Sequence, residues 1–360
     1  MMNERNKTAL VAGSGIAAAF VCANLIQQGV RVLHFADPAL QGASHIAAGL
    51  VNPVTGRQYA VSWRTIECLN ALDRFFQIPW LASAQPYFHA MQIYRPFPDI
   101  FSLNEWTAKT TRPEFEGLTD IAYTPWRPDL IHNPHGGMLH HRGGWLDIPD
   151  FLKHVQHLFL RSGRYRHIPE KLGYDKLHPE SNSYTLQGEN LAYDAVIFCE
   201  GMGMTENPFF RVQLAPLKGQ ILSIRAAADM DRIVSSGIFV VPLGAGQFRL
   251  GSTYERNYTD AMPDAAGLSE LQSEASRWWK AGAMDVVQHV AGIRPSTADR
   301  MPILGRHDVY PTLWILNGLG AKGVLQGPRM AEIITDAILQ DSEAGVYPET
   351  HWKRSRIYSA

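Results

Sequence analysis

The residues best suited to chemistry near the start of the chain form a small turn between two apolar segments. Residues 9–12 read "ALVA", residues 16–28 are rich in alanine, and the pattern between them is G-x-G-x-x-A, with Ala18 at the third small position. Small residues there let a helix pack closely on a strand, so that free N–H groups of the helix point at a pyrophosphate. The residues predicted to contact the phosphates are Gly13, Ser14, Gly15, Ile16 and Ala17.

The uncharged stretch around this turn also has features of an export signal, because Arg5 and Lys7 precede it. Two glycines in its middle would weaken a signal helix, and "QQGVRVLHF" follows directly as a second strand. The three cysteines of the chain are far apart and odd in number, which favours a reducing compartment. We therefore expect a cytoplasmic protein without a membrane span.

Length and composition indicate a globular protein. Its 360 residues are 46% hydrophobic, and at about 150 residues per domain this length suggests two domains. Lysine and arginine total 33 against 34 for aspartate and glutamate, so no overall field attracts nucleic acid or an anionic membrane. His132, His135, His140 and His141 crowd one stretch, but no Cys or carboxylate spacing completes a zinc site. We predict a surface or interdomain loop there and no bound metal.

An acidic residue after the second strand is expected to bind the ribose of a dinucleotide. The predicted strand covers residues 30–35, and the acid is Asp37, one place beyond the usual position, which Ala36 occupies. A shift of one residue reverses side-chain direction on a strand. Asp37 therefore reaches the ribose only if the chain turns there, which Pro38 favours. The alternative is that Asp37 is simply a turn residue.

The stretch "GASHIAAGLVNPVTGR" offers small residues whose backbone N–H groups let a planar ring lie close to the chain. Together with the opening turn, it resembles the D-amino-acid oxidase superfamily of FAD-dependent enzymes, in which a Ser-x-x-Ala-Ala-Gly turn meets the flavin. The residues that match or adjoin this turn are Ser44, Ala47, Ala48, Gly49 and Leu50. In dimethylglycine-type dehydrogenases, the histidine that bonds covalently to the flavin directly precedes Ala-Ala-Gly. In this chain Ile46 occupies that position, and His45 stands one place earlier. The resemblance therefore implies non-covalent FAD.

Later segments resemble the same superfamily in its order along the chain. "YDAVIFCEG" resembles a core strand that ends beside FAD, and "APLKGQILSI" and "VVPLGAGQFRLGSTYE" resemble strands of a substrate domain. "GIRPSTADRMPILG" and "LNGLGAKGVLQGPRMAEII" resemble the C-terminal signature, whose helix, beginning near Val324, points its positive end at the flavin. The cofactor contacts implied are Gly201, Arg294, Gly318, Gly320, Ala321, Lys322 and Gly323.

The resemblance implies oxidation of a small amine or amino acid, with hydride transfer from the α-carbon to flavin N5, an imine product and oxygen as the expected electron acceptor. Arg294, in "GIRP", stands where the superfamily binds the substrate carboxylate, and a guanidinium makes two parallel hydrogen bonds to that group. The alternative for Arg294 is an interdomain ion pair. Tyr254 and Arg57 are candidates to supplement it. Lys322 adds charge beside the flavin or is simply a solvated lysine.

The fold expected from this resemblance is α/β, with a Rossmann-like FAD-binding domain and a smaller α+β substrate domain on a mainly antiparallel sheet. The FAD-binding domain is predicted to be discontinuous, over residues 1–58, 145–214 and 288–345. The substrate domain would comprise residues 59–144 and 215–287. The tail, residues 346–360, lacks apolar periodicity and is expected to pack loosely.

Two other functions stay open at this point. "GLGAKGV" and "GPRMAE" also resemble the FAD domain of the bifunctional tRNA-modifying enzyme that removes a carboxymethyl group from an aminomethyl uridine. The neutral chain disfavours tRNA, although a basic surface formed by Lys353, Arg354 and Arg356 would favour it. The second alternative is a non-catalytic protein with a flavoprotein fold, against which the retained glycines argue.

Overall fold

The helices and strands follow the order expected for a chain that alternates between two sheets. The computed structural model describes residues 7–40, 42–56 and 58–355. Within these residues the α-helices are α1 (Ile16–Gln27), α2 (Thr65–Gln77), α3 (Ile100–Thr110), α4 (Ile148–Arg161), α5 (Ala265–Ser276) and α6 (Gly323–Gln340). The predicted first helix and the predicted start of the last one each agree with the structure to within one residue.

The strands are distributed over the same ranges. They are β1 (Thr8–Ala12), β2 (Arg31–Phe35), β3 (Leu50–Val51), β4 (Val54–Thr55), β5 (Ala60–Val61), β6 (Phe88–Ala90), β7 (Ile93–Pro96), β8 (Thr119–Ala122), β9 (Gly137–His140), β10 (Gly144–Leu146), β11 (Tyr165–Ile168), β12 (Leu177–His178), β13 (Ser183–Leu186), β14 (Glu189–Ala192), β15 (Ala195–Phe198), β16 (Leu217–Arg225), β17 (Ile233–Ser236), β18 (Ile238–Gly244), β19 (Gln247–Gly251), β20 (Asp285–Arg294), β21 (Ile303–Arg306) and β22 (Leu313–Asn317).

The first large sheet has six strands in the order β11-β2-β1-β15-β22-β21. Its first five strands are parallel and β21 is antiparallel. The central strands are continuous apolar runs because both faces of the sheet are covered. Helices α1, α4 and α6 pack on one face, and the small β12-β13-β14 sheet packs on the other. This is the Rossmann-like arrangement predicted for the FAD-binding part of the chain.

The second large sheet has eight strands in the order β20-β16-β19-β18-β17-β7-β9-β8. It is antiparallel except where β17 pairs with β7, and α5 covers one of its faces. The α/β class with a mainly antiparallel second sheet is thus confirmed. The predicted boundary at residue 288 falls inside β20, which belongs to this sheet over its whole length. Helix α2, placed in the substrate domain by the prediction, packs instead on α6.

Close packing of α1 on α6 brings the beginnings of these two helices together. A Cβ atom on Gly327 would lie 2.6 Å from the ring of Phe20, and one on Gly323 would lie 3.0 Å from Ile16. Glycine at both positions therefore lets the helices approach along their length. Because Ile16 and Gly323 are the first residues of α1 and α6, two positive helix ends lie side by side at one edge of the first sheet.

Two expectations about exposed segments are wrong. The tail packs against the first sheet as far as it is described: Thr350 and Trp352 are buried, and the Trp352 indole donates a 2.8 Å hydrogen bond to the Arg306 carbonyl. His140 is fully buried in β9, where its Nδ1 lies 2.9 Å from Asn52 Oδ1. Aromatic anchoring and strand pairing decide both cases, and neither appears as a periodic pattern in the sequence.

Within the described ranges, the helices are too short or too polar to cross a bilayer. The same ranges contain no group of three or more His, Cys, Asp or Glu side chains arranged to hold a metal ion.

Candidate active site

The turn between β1 and α1 lies directly against the end of β15. Gly13 has φ +131°, and a Cβ there would lie 2.2 Å from the Cys199 carbonyl oxygen, so only glycine fits. Gly15, the residue before α1, supplies no side-chain cap, and the first N–H groups of a helix have no acceptor within it. Ser44 Oγ accepts one of them, from Ile16, at 3.1 Å. The remaining first-turn N–H groups are the donors that the predicted phosphate contact would use.

A buried histidine, which the sequence analysis did not single out, holds this turn from behind. His34 Nε2 lies 2.7 Å from the Gly13 carbonyl oxygen, and His34 Nδ1 lies 2.7 Å from the Tyr165 hydroxyl. A carbonyl can only accept, so Nε2 carries the proton and the tyrosine donates to Nδ1. Burial lowers the pKa of His34 to about 4, which keeps the ring neutral. Nothing in the local sequence marks His34, because its partners lie on other elements.

The chain turns directly after β2, as the ribose prediction for Asp37 requires. The Asp37 carbonyl accepts from the Leu40 N–H at 3.1 Å, and its carboxylate Oδ1 accepts from the Ala39 N–H at 2.8 Å. Ser14 Oγ donates to the Leu40 carbonyl at 2.9 Å, which joins this turn to the phosphate turn. Ala36 is buried whereas Asp37 is partly exposed. The turn role of Asp37 is therefore observed, and binding to ribose stays a prediction.

The segment predicted to meet the flavin ring lies between the two large sheets. Gly49 has φ +69°, and a Cβ there would lie 1.9 Å from the Leu146 carbonyl oxygen. Leu50 then pairs with Trp145 of β10. Ile46 lies against Gly292 of β20, 3.2 Å from where a Cβ would be. The segment therefore contacts β20 two residues before Arg294. Ser44, Ala47 and Ala48 belong to the same short segment.

The two later glycine turns are joined by an asparagine that the sequence analysis also missed. Asn317 ends β22, and its Nδ2 donates to the Gly201 carbonyl at 2.9 Å while its Oδ1 accepts from the Gly318 N–H at 2.7 Å. A short 3-10 turn, Gly320–Lys322, follows and includes Ala321. It leads directly into α6, which begins at Gly323 without a side-chain cap. Gly201, Gly318, Gly320 and Gly323 thus lie near the start of α6.

Lys322 is partly buried at the beginning of α6. Burial lowers the pKa of its ammonium, Arg300 lowers it further, and Cys68 opposes this shift. Its role beside a flavin stays a prediction.

Arg294 is the last residue of β20 and extends over the neighbouring strand. Its guanidinium would lie 2.0 Å from a Cβ on Gly219, so the side chain lies flat on glycine backbone. Nη2 donates to Ser252 Oγ at 2.6 Å, and both terminal nitrogens lie 3.3 Å from the Thr253 carbonyl. Among residues 7–40, 42–56 and 58–355, no carboxylate forms an ion pair with it.

Burial lowers the pKa of Arg294, and the neighbouring Tyr254 and Glu255 raise it. The exposed ring of Tyr254 has its centroid 4.7 Å from the Arg294 guanidinium carbon. The structure therefore brings these two predicted substrate residues together, and the interdomain ion pair considered for Arg294 does not form within the described residues. Arg57 lies outside those residues.

These features fit FAD as the cofactor of the site. Two uncapped helix ends meet at one edge of the parallel sheet, and glycine backbone replaces side chains where Gly13 and Gly49 approach neighbouring strands. Helix ends and bare N–H groups are the donors that a diphosphate and a reduced flavin require.

The profile of a family described as "FAD dependent oxidoreductase" (DAO) matches residues 8–337. The chain belongs to this family. Glycine oxidase from Pseudomonas putida is 25% identical over 173 residues, which are 46% of this chain and 47% of that protein. The tRNA 5-methylaminomethyl-2-thiouridine biosynthesis bifunctional protein MnmC from Idiomarina loihiensis is 22% identical over 356 residues, 90% of this chain and 54% of that protein. The chain thus spans about half the length of these relatives.

Solved structures show the same fold. Glycine oxidase from Geobacillus kaustophilus superposes with a TM-score of 0.79 at 19% identity, covering 97% of this chain and 99% of that one. Iminodiacetate oxidase from Chelativorans sp. BNC1 gives a TM-score of 0.77 at 17% identity, covering 97% and 98%. With its family established, this member of the DAO family is an FAD-dependent oxidoreductase, and the predictions of FAD as the cofactor and of an oxidoreductase are confirmed.

Proposed function

We propose that this oxidoreductase oxidises a small amine or amino acid whose carboxylate binds Arg294. Bound FAD supplies the chemistry, acceptance of a hydride from the substrate α-carbon at N5, and oxygen is the proposed electron acceptor. The protein's part is to hold the α-carbon beside the ring and to exclude water from the reacting atoms. Glycine oxidase, to which the chain is similar, supports a substrate of this size.

The single observation that carries the proposal is the unpaired guanidinium of Arg294. The guanidinium donates to a hydroxyl and a carbonyl, which are neutral. Glu255 is near enough to raise its pKa, but no carboxylate of the described residues forms an ion pair with it. A partly buried guanidinium without a counterion is costly unless a ligand supplies one. Gly292, two residues before Arg294 on β20, lies against Ile46 of the predicted flavin segment, which supports a carboxylate site near the ring.

Replacing Arg294 by Lys tests this assignment. Lysine keeps the charge but loses the two-pronged hydrogen bond, so we expect KM for the amino acid to rise roughly 10- to 100-fold, the equivalent of one charge-assisted hydrogen bond. The measurements are steady-state kinetics and the FAD content of the purified variant, which should not change.

The control is Arg225→Lys, which changes an exposed arginine at the other end of β16. An Arg294→Lys enzyme with the wild-type KM would remove Arg294 from the substrate site.

Removal of a carboxymethyl group from a modified tRNA uridine is the second candidate, favoured by one observation. The match to the bifunctional relative from Idiomarina loihiensis covers 90% of this chain, whereas the match to Pseudomonas putida glycine oxidase covers 46%. The basic surface considered for tRNA gives no support, because Lys353 pairs with Asp308 at 2.5 Å and Arg354 with Asp299 at 2.8 Å. Arg356 lies outside the described residues.

The two candidates differ in what reduces the flavin. Glycine or sarcosine should bleach it under the first, whereas under the second only RNA that carries the carboxymethylaminomethyl group should do so, with affinity that falls as salt rises.

A further inference from the structure

Arg249 lies on the same side of the antiparallel sheet as Arg294. On β16, Leu217 pairs with Arg294 and Ser223 pairs with Arg249. Leu217 and Ser223 are six residues apart and so share a face, and directly paired residues of neighbouring strands point to the same side. Gly292 of this face contacts Ile46, so the face with both arginines is the one that looks toward the flavin segment.

Arg249 carries a buried hydrogen-bond donor that pairs with none of the described residues. Its Nη1 is buried and has no hydrogen-bond partner among the described residues. The carboxylate that forms an ion pair with Arg249 is that of Asp147. Its Oδ1 is 3.7 Å from Arg249 Nη2, which is too long for a hydrogen bond. A buried guanidinium nitrogen is costly when it is left without an acceptor, which points to a ligand that supplies one.

A second unused donor lies beside the first. The Trp145 ring centroid is 5.4 Å from the Arg249 guanidinium carbon, and its indole Nε1 is also buried without a partner in the described chain. Trp145 pairs directly with Leu50, which follows the flavin turn. Both residues belong to one apolar cluster that also contacts Phe239 of β18. The two donors are therefore buried beside Leu50, next to the predicted flavin segment.

We propose that Arg249 and Trp145 form a second anion-binding subsite, which selects amines that carry a second carboxylate besides the one held by Arg294. This rests on the proposed function, which assigns the first carboxylate to Arg294. A guanidinium and an indole N–H only donate, so their natural ligand is a group that only accepts, such as a carboxylate.

The spacing along the sheet sets the length of the substrate. Arg294 lies over Gly219, four residues from Ser223, which pairs with Arg249, so the two positions are about 13 Å apart along the strand. The Arg249 side chain spans part of this gap, and a short chain of methylene groups between the two carboxylates would span the rest.

The test uses acids that bind without being oxidised. In these compounds a sulfur replaces the amine nitrogen, a carboxymethyl group is fixed on one side, and the other side carries one to four methylene groups that end in a carboxylate or in a methyl group. Dissociation constants are measured on the FAD-loaded enzyme from the change in its visible spectrum. At the best length, we expect the diacid to bind at least tenfold more tightly than the matched monoacid.

Variants locate the effect. Arg249→Met should bring the ratio of the two dissociation constants close to one, and Trp145→Phe, which removes only the N–H, should lower it partly. Arg277→Met, which changes an exposed arginine paired with Glu274 just after α5, should keep the wild-type ratio. If Arg249→Met does not retain FAD, the ratio is measured in Arg249→Lys and Trp145→Phe instead. Lysine keeps the positive charge of Arg249 but lacks the paired N–H donors of the guanidinium.

A ratio near one at every length in the wild-type enzyme would overturn the subsite, as would a ratio unchanged in both Arg249→Met and Trp145→Phe. Failure of the proposed function is distinguishable. An enzyme that oxidises no carboxylated amine but keeps the diacid ratio contradicts the function and retains the subsite. An enzyme that oxidises sarcosine and shows a ratio of one does the reverse.

Discussion

The predicted cofactor side of the site consists mainly of backbone groups, whereas the proposed substrate side consists of side chains. The predicted FAD contacts are glycines that lie against neighbouring strands and the starts of two helices that have no side-chain cap. On the opposite sheet, the proposed site consists of side chains, because Arg294 and Arg249 lie on the same face of that sheet. A backbone site tolerates almost no added atom, whereas a side-chain site can be altered one group at a time. Substitutions on the two sides should therefore fail in different ways.

The largest effect is expected from Gly13→Ala. The added methyl group would lie 2.2 Å from the Cys199 carbonyl at a backbone angle that favours glycine, so the turn must move. We predict protein purified with little or no FAD and a lower melting temperature, measured by the visible spectrum and by thermal unfolding.

Gly42→Ala is the matched control, because a Cβ at Gly42 meets nothing within 4 Å and its φ is −80°. A Gly13→Ala protein that holds FAD as the wild type does would show that the turn is not a tight cradle.

A smaller effect on stability is expected from low pH, through His34, which lies behind the Gly13 turn. The folded pKa of His34 is lowered to about 4, so between pH 6.5 and 4 the unfolded chain binds more protons and stability falls as pH falls. From pH 7 to pH 5 this histidine alone should remove about 2 kcal/mol of unfolding free energy. His140, whose pKa burial lowers to about 3, acts in the same direction.

Urea unfolding at the two pH values measures this loss. His34→Gln, which keeps a donor for the Gly13 carbonyl but does not titrate, should lose less stability over the same range. Equal losses in the wild type and in His34→Gln would contradict the assignment.

The turns and helix starts of the predicted cofactor side were also the features that the sequence predicted well. A close backbone approach requires glycine, and the sequence has glycine at Gly13, at Gly49 and at the start of α6. Such positions can be recognised without a structure. His34 and Asn317 were missed because each is defined by partners on distant elements. The spacing of residues along the sequence does not indicate hydrogen bonds between such distant elements.

On the proposed substrate side, the sequence predicted Arg294, which the resemblance supplied, and Tyr254, which lies beside it. Arg249 and Trp145 could not be found in this way, because strand register alone brings them toward the flavin segment. The same reason explains His140, which β9 buries in the sheet although its neighbours in sequence indicate a loop.

The smallest effect is expected from Tyr254→Ala, on the substrate side. The ring lies over the Arg294 guanidinium but is exposed, and an exposed cation–π contact contributes about 0.5–1 kcal/mol, or a roughly threefold rise in KM. Steady-state kinetics measures it. The control is Tyr123→Ala, which removes a similarly exposed ring far along the sheet. A loss of activity as large as that of Arg294→Lys would mean that Tyr254 contacts the substrate itself.

The most direct test of the account is the visible spectrum of the FAD-loaded protein, recorded without oxygen before and after adding glycine, sarcosine and iminodiacetate in turn. We predict that the flavin band bleaches with at least one of these carboxylated amines and returns when oxygen is admitted. A flavin band that none of them bleaches would contradict oxidation of a small amine at Arg294 and would leave the modified tRNA as the substrate to test.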